Sequence, residues 1–159
     1  METKVILMSI KPEYAEAIMS GRKTVEFRRR PLPTNIDLVL VYATAPVKGI
    51  VGSFYFEKQF EAAPHSLWAV YGDLGACTKE DFDRYFKGCE TGTAIVITDA
   101  YRLSEPLNPR AVMGRKWVAP QSWYYISKLA GHIPAMVHVE RPRPVDLPPP
   151  DGGKKEGQS

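Results

Sequence analysis

Residues 9–30 read SIKPEYAEAIMSGRKTVEFRRR, and their reading decides the fold. Pro12 suits the first position of a helix, where a missing N–H costs nothing. Glu13 follows in the first turn, where the helix dipole favours an acid. Tyr14, Ala17 and Ile18 fall at i, i+3 and i+4 and make a narrow apolar stripe. Gly21 stands where a left-handed residue ends a helix. The spacing predicts a helix over 12–20. The period then changes to two. Val25 and Phe27 point to a core, while Thr24, Glu26 and Arg28 form a row on the opposite face. That row is either a solvated strand face with an internal Glu–Arg pair or the lining of a cleft, and charge runs are commonly just solvated.

Outward from this stretch, residues 4–10 are apolar and suit a buried first strand. Residues 31–37, PLPTNID, are a loop. Residues 38–44 are a near-continuous apolar run, the pattern of a strand buried on both faces. Residues 50–57 make another strand, in which Gly52 predicts a bulge or tight bend. A short helix is expected over 64–71. Thr78 caps a further helix, with Asp81 at the acid position of a capping box and Phe82, Tyr85 and Phe86 on its core face. Residues 92–103 read as a long strand, and Pro106 and Pro109 mark a loop. Pro120 to Ala130 are predicted as a last helix stopped by Gly131, and 137–139 as a closing strand. Strands outnumber helices, so the expectation is an α+β fold: a small barrel with flanking helices.

The chain has 159 residues, 44% hydrophobic and 25% charged, as in an ordinary globular protein of one domain. The domain is expected over 1–139. A polar tail over 140–159, ERPRPVDLPPPDGGKKEGQS, is expected to be disordered, and its deletion from 141 onward to leave thermal stability unchanged. The tail's charges cancel, so the net charge of +3 belongs to the folded part. Cys77 and Cys89 have no partner at CxxC spacing, and His65, His132 and His138 are scattered. No zinc site or disulfide framework is expected. A reducing cytoplasm fits, with a Cys77–Cys89 bridge the less favoured alternative. The run Val5–Met8 is too short for a signal peptide, and no stretch approaches the ~20 apolar residues of a membrane helix.

Ser9-Ile10-Lys11-Pro12, Tyr14, Gly21-Arg22-Lys23-Thr24, Glu26 and Arg28 together resemble the signature of the ASCH domain family, a branch of the PUA-like superfamily. Val41 to Pro46 followed by Ile50-Val51-Gly52 resembles that family's second and third core strands, and Pro120-Gln121-Ser122-Trp123 its Pro-Gln-Ser-aromatic segment. The resemblance covers roughly residues 4–138. It implies a PUA-like pseudobarrel that binds RNA in a cleft at the helix-to-strand junction, lined by Lys11, Lys23, Glu26 and Arg28.

The residues themselves support a polyanion-facing surface. Lys11, Arg22, Lys23, Arg28, Arg29 and Arg30 cluster as phosphate-binding residues do. Trp123 and Tyr124 are candidate stacking rings for unpaired bases, against the simpler reading of core aromatics. The expected partner is RNA or a nucleotide, bound by a monomer without cofactor, metal or membrane.

The alternative is a hydrolase acting on RNA or on a modified nucleoside. One ASCH-like branch resembles amidohydrolases that deacylate N4-acylated cytidine with a Lys, a Thr three residues later and a downstream acid. Lys23 matches the Lys, but Glu26 stands at the Thr position, and Asp73 is the candidate downstream acid. A Glu can still act as a general base. The acids Asp73, Glu80, Asp81 and Asp83 assemble no convincing metal cluster and read as a capped, solvated helix face. A third reading is a protein-interaction module whose basic face meets an acidic partner.

Overall fold

The computed structural model describes residues 3–126, 137–139 and 148–150. The chain runs β1 (Val5–Ile10), α1 (Pro12–Met19), β2 (Val25–Arg28), β3 (Leu38–Ala43), β4 (Gly49–Ala62) and α2 (Pro64–Tyr71). A 3-10 turn (Gly72–Leu74), α3 (Lys79–Phe86), β5 (Gly92–Leu107), α4 (Pro109–Met113), β6 (Trp123–Tyr125) and β7 (Val137–Val139) follow. The strands form one mixed sheet in the order β2-β5-β4-β3-β1-β6, with β7 added to β5. The β1–β3 pairing is parallel and the others are antiparallel. The sheet curls into a half-barrel flanked by helices.

The alternation of side chains shows why β1 and β3 are apolar throughout. Ile6, Met8, Ile10, Val39, Val41 and Ala43 pack with α1 in one core cluster. Val5, Leu7, Leu40 and Tyr42 enter a second cluster on the opposite face, beside Trp117 and Tyr124. A third cluster joins Val25 and Phe27 of β2 to Leu67, Tyr71, Phe82 and Phe86 of α2 and α3. Gly21 and Gly88 both have positive φ and end α1 and α3 as expected. At Gly52 the ladders shift register on both sides, and an added Cβ would collide with the Tyr101 carbonyl and Met19 Sδ. This is the bulge that lets β4 bend around the core.

Some expectations are corrected. The segment from Pro120 is not helical: Trp123, Tyr124 and Tyr125 pair with Met8, Leu7 and Ile6 of β1. The proline suggested a helix start, but the aromatic residues suit a strand, and β1 offers them an open edge more than a hundred residues away in sequence. Residues 127–130, the rest of that expected helix, lie outside the described residues. β4 continues past 57 to Ala62 and β5 past 103 to Leu107, because the two strands pair along almost their whole length. The polar residues Glu57, Lys58 and Gln59 ended the apolar signal without ending the ladder. Gln59 also clamps the 31–37 loop through both backbone groups of Leu32. A short helix, α4, occupies the expected loop after Pro109, capped by Asn108.

Within the tail, Pro148–Pro150 are described. Pro150 is buried, and the Pro148 carbonyl accepts a 2.6 Å hydrogen bond from Tyr71 Oη. A tail detached along its whole length is corrected at these residues. Among the described residues no helix is long and apolar enough to cross a membrane.

Candidate nucleic-acid interface

A cleft of about 540 Å3 opens where α1, β2 and α3 meet. Pro12 starts α1 and leaves Lys11, an exposed residue, at the cleft mouth. Lys23 follows the Gly21 turn. Its backbone N–H bonds the Ala17 carbonyl, and Thr24 N–H bonds the Leu74 carbonyl. These bonds seat the start of β2 between α1 and the 3-10 turn. The two-residue period of β2 then aims Glu26 and Arg28 into the cleft.

The floor is a buried charged set. Lys23 is 3% exposed, and its Nζ donates to the Gly75 carbonyl at 2.5 Å. It lies 3.4 Å from Glu26 Oε1 and over the rings of Tyr14 and Phe27. Arg28 Nε is 2.9 Å from Glu26 Oε2. The same guanidinium donates to the Ser9 carbonyl at 2.8 Å and to Ser122 Oγ at 3.3 Å. Arg28 therefore ties β2 to the end of β1 and to the segment ahead of β6. Its role as a latch between strands was invisible in the sequence.

The walls bring residues that sequence reasoning missed. Ser9 and Thr44 stand on the sheet side, and Gln121 on the C-terminal side. From α3 come Asp81, Arg84 and Tyr85. Tyr85 carries Arg29: its carbonyl accepts from Arg29 Nε at 3.0 Å, and its ring lies 4.3 Å below the guanidinium. Asp81 corrects the reading of α3's acids as a uniformly solvated face. Glu80 and Asp83 are exposed, whereas Asp81 faces the cleft and accepts from Tyr14 Oη at 3.5 Å. The i, i+3 step from Thr78 to Asp81 was legible as a cap, and Thr78 Oγ1 does accept from Asp81 N–H. Which way the carboxylate turned depended on Tyr14, which is remote in sequence.

Burial and the nearby Asp81 charge push the Tyr14 phenol up to about 12. It keeps its proton at neutral pH and acts there as a donor. Burial also pushes the Cys77 thiol up, against the opposing charge of Lys23. Cys77 and Cys89 are both free thiols. Arg84, bonded to Asp81 at 2.7 Å, holds that carboxyl below its usual range. Among the described residues, no three His, Cys, Asp or Glu side chains come together as metal donors.

The cleft thus unites Lys11, Lys23, Glu26 and Arg28. The other candidates stand elsewhere. Arg22 and Arg30 are exposed but do not line the cleft. Trp123 packs on the first core cluster, and Tyr124 packs on the second while donating to the Val118 carbonyl. Their rings face the core, away from the cleft. Asp73 is exposed on the rim of an adjoining hollow. Thr24 does not line the cleft either, so it brings no hydroxyl to Lys23 there.

A curled mixed sheet with a helix-to-strand cleft of this kind is a PUA-like fold. The family model for the ASCH domain matches residues 8–98. A protein of Zymomonas mobilis named ASCH domain-containing ribonuclease is 38% identical over 109 residues, covering 68% of this chain and 71% of that protein. The crystal structure of ASCH from the same organism superposes with a TM-score of 0.71 at 32% identity, over 86% of this chain and 99% of that one. Large ribosomal subunit protein uL22 of Ureaplasma parvum is 30% identical over 105 residues, but this chain spans only 34% of its length. The chain belongs to the ASCH domain family.

Proposed function

We propose that this protein binds single-stranded RNA with the phosphate backbone in the α1–β2–α3 cleft. The observation that carries this reading is the buried Lys23–Glu26–Arg28 set below a rim of Lys11, Arg29 and Arg84. Phosphates are held by clusters of this kind. Glu26 offsets one of the two floor cations, so both the floor and the rim leave positive charge for a phosphate. The name of the Zymomonas relative supports RNA as the polyanion.

The same name favours a second step, cleavage. In this reading Glu26, whose oxygens rest on Lys23 and Arg28, takes the proton of a ribose 2′-hydroxyl as its oxygen attacks phosphorus. In the same reading Lys23, an ammonium 3.4 Å from Glu26, stabilises the charge that gathers on the phosphate oxygens. The O2′–P bond forms as the P–O5′ bond breaks, and the proton held by Glu26 passes through water to the departing 5′-oxygen, giving a 2′,3′-cyclic phosphate and a 5′-hydroxyl end. The test is to incubate the protein with single-stranded RNA, measure binding, and analyse the ends of any fragments. Cyclic phosphate ends that disappear in a folded Glu26→Gln variant support cleavage at this site. Equal turnover by that variant removes Glu26 from the chemistry. Binding without fragments leaves a binding module, and absence of binding overturns the reading.

A further inference from the structure

The cleft does not end at Tyr14. A second hollow of about 480 Å3 adjoins it, and Tyr14, Cys77 and Asp81 line both. Its far wall is Trp68, a half-buried indole on α2 that packs against Phe82 at 5.0 Å between ring centroids. Gly72 lies against this indole, and an added Cβ would come 2.8 Å from the ring. A glycine there lets the chain turn closely past the ring without displacing it.

The two hollows differ in chemistry. The first is rimmed by Lys11, Arg29 and Arg84. Asp81 lines both hollows and is paired with Arg84, so what the second adds is the acids Glu13 and Asp73, with Lys79 as its basic residue. Lys79 is paired with Asp83 at 2.8 Å, and its ammonium stands 5.9 Å from the Trp68 ring centroid on an exposed side chain that a stacking base would displace. A phosphate is drawn to the first and repelled from the second. A nucleobase is uncharged and presents a flat face to an indole. An exocyclic amino group on that base is a donor for a carboxylate. Uracil presents a carbonyl oxygen at the position of cytosine's amino group, which a carboxylate repels, and its one base donor is the ring N3–H. Between the hollows, Tyr14 keeps its hydroxyl on Asp81 and offers the edge of an uncharged ring.

We infer that the second hollow is a base subsite for RNA whose phosphate lies in the first. Trp68 is its stacking ring, and Glu13 and Asp73 select a base bearing an amino group over uracil. This rests on the RNA reading above. Asp73, a candidate catalytic acid in the sequence, here serves recognition.

The test compares labelled single-stranded oligo(C) and oligo(U) of one length, bound to the full chain at one salt concentration. The two bases have the same size and differ at C4, which carries an amino group in cytosine and a carbonyl in uracil, and at N3, an acceptor in cytosine and a donor in uracil. The parent protein is expected to bind oligo(C) at least about fivefold more tightly. Glu13 and Asp73 are exposed, so a Glu13→Gln, Asp73→Asn double variant should fold. It should bring the ratio of affinities close to one, while oligo(U) binds as tightly as before or more so. Equal affinities in the parent, or an unchanged ratio in the double variant, overturn the subsite alone. No binding of either oligonucleotide by the parent overturns the RNA reading, and the subsite with it.

Discussion

Arg28 holds Nε 2.9 Å from Oε2 of Glu26, two residues back on the same strand, with their side chains 12% and 7% exposed. Lys23 occupies the other carboxylate oxygen at 3.4 Å. One buried acid therefore serves a buried ammonium and a partly buried guanidinium. Glu26→Gln should cost about 3 kcal/mol of stability, because removing one member of a buried ion pair leaves charge without compensation. Urea unfolding measures this. A loss below about 1 kcal/mol would show that the cations find solvent instead.

Lys11 and Arg30 are both exposed cations near the central stretch, but only Lys11 lines the cleft. Lys11→Ala should weaken RNA binding and lower the slope of log affinity against log salt by about one, while Arg30→Ala should change neither. Titrations at several salt concentrations separate the outcomes. Equal losses from both substitutions would reduce the interface to diffuse charge.

Tyr71 is fully buried, and burial raises its phenol from 10.0 to about 12. The folded state therefore holds its proton more tightly than the unfolded chain does. The resulting stability is complete below pH 10 and is lost as pH rises toward 12, a fall of about 2 kcal/mol from this group. Tyr71→Phe should flatten part of that alkaline fall, with Tyr14, also raised to about 12, contributing to what remains. Denaturant midpoints between pH 9 and pH 12 read the difference.

Deleting 141–159 should lower the melting temperature by about 2–4 °C. This corresponds to roughly 1 kcal/mol for the lost Tyr71–Pro148 hydrogen bond and the seat of Pro150. An unchanged melting temperature would show that these prolines contribute nothing to the folded state.

The helix, glycine stop and strand of residues 9–30 were legible because each signal is local: Pro12 at a first turn, Gly21 at a positive φ, a change of period after it. The cleft floor followed from the same four-residue strand. What sequence could not show was arranged by distant partners. Arg28 meets Ser122, Lys23 meets Gly75, and Asp81 meets Tyr14 only after the sheet has curled. Trp123 and Tyr124 were read on a helix because a proline preceded them, and the edge that draws them into a strand belongs to β1. Asp73 was named as the counterpart of the downstream acid in the resembling amidohydrolase branch, and nothing local could show that the 3-10 turn sets it in the neighbouring hollow.

β6 has a consequence for handling the protein. It is three residues long and covers the outer edge of β1, whose Val5–Met8 run is among the most apolar parts of the chain. The family match ends at 98, which makes a fragment stopping short of Trp123 an inviting choice. Such a fragment would bare a row of unpaired backbone donors and acceptors along an uncharged, apolar strand, the kind of edge on which chains stack into aggregates. Solubility of the domain thus depends on an aromatic tripeptide outside the segment by which its family is recognised.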